Sequence, residues 1–128
     1  MGAERPDVVV TLQTALLRAV ADFGDDERFA PHKSRVLATA AALDYVLMLV
    51  TGTTGVRIPE RDAERAIRDG IGRAVDDLLA AAAAVAEIGT PDAIAFARAT
   101  ARTLRSVMRD EHLANDTRSF ALIALANA

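Results

Sequence analysis

A chain of 128 residues is long enough for one domain that buries roughly two-thirds of its unfolded surface without disulfides or metals. With no Cys, no Trp, four Phe and one Tyr, it cannot hold a disulfide framework, a thiolate nucleophile or a Cys-based zinc site, and its core must be aliphatic. A net charge of −3, spread along the chain, argues against general affinity for nucleic acid or anionic membrane.

Alanine fills about a fifth of the chain, well above ordinary usage, which favours helices that form easily and approach closely. Lys33 is the one lysine among 15 basic residues, and this arginine bias fits a GC-rich bacterial genome. Met1 to Asp7 carries no basic region followed by an apolar one, so a cytoplasmic location is expected. The longest apolar stretch, Val36 to Val50, is short for a membrane span and holds Asp44, so none is expected.

Five helices are expected in chain order. The first runs from Pro6-Asp7 to Phe23, with Val9, Leu12, Leu16, Val20 and Phe23 on one face and Gly24 as its stop. Asp25 to Arg28 is an acidic connector. The second spans Pro31 to Gly52 and is apolar on nearly every side: beside the stripe Val36, Ala40, Leu43, Leu47 and Val50 lie Leu37, Val46, Met48 and Leu49. That pattern predicts the central, buried helix of the bundle. Thr51 to Gly55 reads as a turn that lacks the Lys and preceding strand of a phosphate loop.

The third helix, Pro59 to Ile88, opens with Glu60 and Asp62 at its positive end and buries Ile67, Ile71, Ala74, Leu78, Ala82 and Val85. Gly70 and Gly72 inside it mark a close crossing or a bend. Gly89-Thr90-Pro91-Asp92 combines a stop, a cap, a first-turn proline and a dipole partner. The fourth helix then runs to about Leu113, burying Ile94, Ala97, Ala101, Leu104 and Met108. After Asn115-Asp116-Thr117 a short last helix covers Arg118 to Ala126, with Phe120, Leu122, Ile123 and Leu125 spread over more than one side. The expected fold is all-α: a single-domain antiparallel bundle, residues 1–128, of four long helices and a short C-terminal one.

Candidate chemistry is sparse. Arg28 and Arg109 stand where a di-iron bundle needs Glu before His32 and His112, so no metal and no cofactor are expected. Asp44 is the one charge between Ala38 and Val50, and is read as a wet helix margin, a structural ion pair or a functional acid. Arg98, Arg102, Arg105 and Arg109 line one side of the fourth helix, either as a solvated flank paired with Asp69, Asp76 and Asp77 or as a grip on an acidic protein partner.

The segment Arg105-Ser-Val-Met-Arg-Asp-Glu-His112 resembles the motif of the HEPN superfamily, all-helical bundles that include metal-independent ribonucleases. The resemblance implies two subunits pooling their motifs, His112 as base on a ribose hydroxyl and Arg105 steadying the phosphate. Nucleic acid enters only through that alternative. The leading expectation is a non-enzymatic interaction module that forms a homodimer, with Phe120 and Ile123 at or beside the contact. A small-molecule pocket beside Asp44 and Tyr45 is the third reading.

Overall fold

The computed structural model describes residues 4–52, 55 and 57–128. Its helices are α1 (Glu4–Phe23), α2 (Ala30–Thr51), α3 (Glu60–Ala86), α4 (Pro91–Asp110) and α5 (Asp116–Ala126), with a 3-10 turn at Glu27–Phe29. Among the described residues there is no strand, and the all-α architecture of four long helices and a short one stands. Of the turn expected after α2, Thr53 and Thr54 lie outside the described residues.

Local chemistry accounts for most boundaries. Gly24 and Gly52 end α1 and α2 at φ 57° and 74°, conformations in which an L side chain is strained. The Thr90 hydroxyl accepts the Ala93 N–H at 3.1 Å, and the Asn115 side-chain amide oxygen accepts the Arg118 N–H at 2.8 Å. Asp26 caps the 3-10 turn by accepting the Arg28 N–H at 3.0 Å, and also takes its guanidinium. The side-chain bond from Arg28, then the backbone one, hold the Asp26 carboxyl below its ordinary range.

The end of α4 differs from the sequence expectation. It stops at Asp110, not Leu113, because His112 adopts φ 55°. The Leu113 N–H then reaches back to the Met108 carbonyl at 2.9 Å, and the His112 N–H to that of Arg109 at 3.4 Å. These two bonds are a Schellman closure with histidine in the place usually held by glycine. No glycine or proline announces it in the sequence.

The largest correction concerns the centre of the bundle. Helix α3 packs against α1, α2, α4 and α5, and buries ten residues from Ile67 to Val85. Helix α2, expected at the centre, packs against α1, α3 and the 3-10 turn and buries only Val36, Thr39, Ala40 and Leu43. A narrow apolar stripe between charged flanks was the better signal of centrality here, because it is complemented on both sides by short-chained Ala positions. Gly70 marks the α2–α3 crossing: a Cβ there would stand 3.1 Å from Cδ2 of Leu43. Gly72 faces away, with only the Arg118 guanidinium within 3.8 Å of such a Cβ.

Within the 25-residue helical stretch Glu27–Thr51, an 18-residue window has mean hydropathy 1.4, so the stretch is long and apolar enough to cross a membrane on those criteria alone. In this fold one side of it is committed to α1 and α3.

Candidate functional site

The polar features gather where α3 passes the corner between α4 and α5. Arg118, in the first turn of α5, lays its guanidinium along Asp76 of α3, with Nε and Nη2 donating to the two carboxylate oxygens at 2.7 and 3.0 Å. Its Nη1 donates to the Leu113 carbonyl at 2.9 Å, tying the corner to α3. The bond to Asp76 raises the Arg118 pKa above the ordinary arginine value, so this cation persists at any working pH. At the very next position of α3, Asp77 accepts from the buried Thr39 hydroxyl of α2.

An open cleft of about 570 Å³ runs beside these groups. It holds the guanidinium groups of Arg68, Arg73 and Arg118 and the carboxylates of Asp69, Asp76 and Asp77. The formal charges lining it balance at three of each sign, with Asp76 and Arg118 paired to each other. Among the described residues no group of three His, Asp or Glu is placed to hold a metal.

His112 borders an adjoining cleft of about 340 Å³ with Arg68, Asp110 and Glu111. Arg105 is exposed on α4 and borders neither cleft. The guanidinium sharing a cleft with His112 is therefore that of Arg68, a residue the sequence motif does not include. Asp44 and Tyr45 are exposed, whereas the cleft of about 250 Å³ between α2 and α3 is lined by Thr39, Leu43, Val46 and Arg73.

The arginine row of α4 has other neighbours than those expected. Arg98 donates twice to the Ala128 carbonyl, at 3.1 and 2.7 Å, and Arg109 pairs with the adjacent Asp110 at 3.1 Å. Arg102 and Arg105 are exposed. Asp76 and Asp77 are instead taken by Arg118 and Thr39, because α5 folds back over α3 and brings its own arginine to them.

Apolar side chains form the other exposed feature. On α5, Leu122 and Leu125 are buried while Phe120 and Ile123 are 73% and 57% exposed, so the two sides of this helix divide as its sequence suggests. A second and larger set lies on α1 and α2. Val10 and Leu17 are each 47% exposed, Leu37 43%, Tyr45 58% and Met48 38%. Gln13 of α1 donates to the Ala40 carbonyl of α2 at 3.0 Å, so these helices run alongside each other and their outer stripes flank one seam. The composition of α2 gave this signal: its apolar residues exceed what one face can bury.

No family model, curated protein or solved structure matches this chain. Any functional reading therefore stands on these surfaces and clefts.

Proposed function

We propose that the chain is a non-enzymatic helical interaction module of a bacterial cytoplasmic system, which engages protein partners, including its own copies, through apolar helix faces. The observation that carries this reading is the exposure, among the described residues, of seven large apolar side chains in two sets, one on the α1–α2 hairpin and one on α5. Apolar side chains gathered on one exposed helix face mark contact sites when they form a patch of about 400 Å² or more. Phe120 and Ile123 supply the smaller surface; Arg98, Arg102, Arg105 and Arg109 flank α4 as a site for an acidic partner.

The balanced charge of the Arg68–Arg118 cleft supports the same reading, because a site for phosphate or carboxylate needs an excess of cations. The competing reading is the metal-independent ribonuclease. It is supported by the cleft that His112 shares with Arg68, and weakened by the position of Arg105 outside it. Incubation of the pure protein with single-stranded RNA in chelator decides between them. The module reading expects no cleavage above background. Cleavage by the wild-type chain that His112→Ala abolishes, with helix content unchanged, would replace it with the nuclease.

A further inference from the structure

We infer that the α4–α5 corner is a hinge at His112 through which two copies of this chain exchange their C-terminal helices. In the exchanged pair α4 and α5 join into one continuous helix, and each α5 docks on α3 of the second copy as it docks here on its own. The exchange uses contacts that a single chain already makes, and so goes beyond the exposed apolar faces of the module reading.

A mismatch between sequence and backbone sets the hinge. Among the described residues His112 is the one non-glycine at positive φ, whereas Gly24, Gly52 and Gly89 take that conformation at the other breaks. A side chain with a Cβ makes it costly. The segment Glu111-His112-Leu113-Ala114-Asn115 holds no glycine or proline, and its Leu and Ala are strong helix formers. Nothing in these residues forbids a helix. Straightening gives up the two reverse bonds of the corner, from the Leu113 N–H to Met108 and from the His112 N–H to Arg109. An unbroken i to i−4 run from His112 to Arg118 replaces them, and α4 and α5 become one rod of about 54 Å. The Asn115 cap on the Arg118 N–H and the Arg118 bond to the Leu113 carbonyl oppose this, so the folded-back form is the resting state of an isolated chain.

Exchange, rather than simple opening, follows from what α5 buries. Opening alone would wet Leu122 and Leu125, with the sides of α3 and α4 that they cover, and would strip Asp76 of its guanidinium. A second copy opened in the same way offers the identical site. Its α3 and α4 bury Leu122 and Leu125 again, and its Asp76 receives Arg118. The interface is then the α5 contact of this structure, made reciprocally about a two-fold axis. Bringing two chains together carries an entropic cost that concentration offsets, while two strained residues relax. Short connections under strain invite exchange of this kind.

Light scattering of the wild type at millimolar concentration, after slow warming and cooling, should show a species of twice the 13.6 kDa chain mass. Glycine suits the closed corner and weakens a helix interior, whereas a branched Cβ suits the helix far better than the corner. Since each dimer holds two hinges, His112→Gly should weaken dimerisation about a hundredfold and His112→Val should strengthen it about a hundredfold. A second test mixes Asp76→Arg with Arg118→Asp. Each variant alone opposes like charges wherever its α5 docks. Mixed, exchange restores an Arg–Asp pair at both docking sites, so native mass spectrometry should find a heterodimer in preference to either homodimer. A mixture without that heterodimer overturns the inference. A dimer indifferent to residue 112 overturns it in favour of contact through an exposed face, and a wild type and His112→Val that both stay monomeric overturn it outright. Should a charge variant lose helix content, the comparison at residue 112 decides alone.

Discussion

His112 is a residue whose backbone works against its chemistry. At φ 55° a side chain with a Cβ is strained, yet the two reverse hydrogen bonds that close α4 require that conformation. Removing the Cβ relieves the strain, and the flexibility of glycine in the unfolded chain offsets part of the gain. His112→Gly should therefore stabilise the fold by about 0.5–1 kcal/mol, seen as a higher urea midpoint at unchanged slope. His112→Val should do the reverse, since a branched Cβ tolerates positive φ least. If glycine at this position lowers stability, the imidazole makes a compensating contact that outweighs the strain. The same residue shows why a motif spacing is a weak guide to a site: six intervening residues placed Arg105 on the wet side of α4, while the turn carried His112 to Arg68.

Among the elements, α3 and α2 exchange the roles that hydrophobicity alone assigns them. Leu78 of α3 is fully buried, and its removal opens a cavity among side chains from several helices. Leu78→Ala should cost about 3–4 kcal/mol. Leu37 of α2 is 43% exposed, and at concentrations where chains are isolated Leu37→Ala should cost no more than about 0.5 kcal/mol. Chemical denaturation of both variants at low concentration tests the ranking; equal costs would mean that α2 is the more deeply packed helix. The capped junction between α3 and α4 was the most legible element boundary, since Gly89, Thr90 and Pro91 each act locally and need no tertiary partner.

For the whole molecule, charge and exposed apolar surface act together. The chain carries −3 at pH 7 and has an isoelectric point near 5.3, so mutual repulsion falls to nothing as the pH approaches that value. With large apolar side chains exposed on the chain's surface, turbidity at high concentration should peak near pH 5.3 and fall on either side, as charge repulsion is lost before apolar contact is. Tyr45→Glu should narrow that peak and move it to lower pH by adding an acid to the larger face. A solution that stays clear through the isoelectric point would show that a partner surface already covers both faces.

Helix number, helix register and most of the core were determined by the sequence alone, because apolar periodicity, Ala propensity and caps act within one helix. Val9, Leu12, Leu16, Ile71, Leu78 and Leu104 are buried as their spacing requires. The balance of Phe120 and Ile123 against Leu122 and Leu125 was equally plain from their spacing around α5. Which helix takes the centre was decided only in three dimensions, since burial depends on how many neighbours an element has, and an apolar surface does not say whether a neighbour exists. The Arg118–Asp76 pair belongs to the same class: 42 positions separate the two residues, and only the return of α5 over α3 brings guanidinium and carboxylate together.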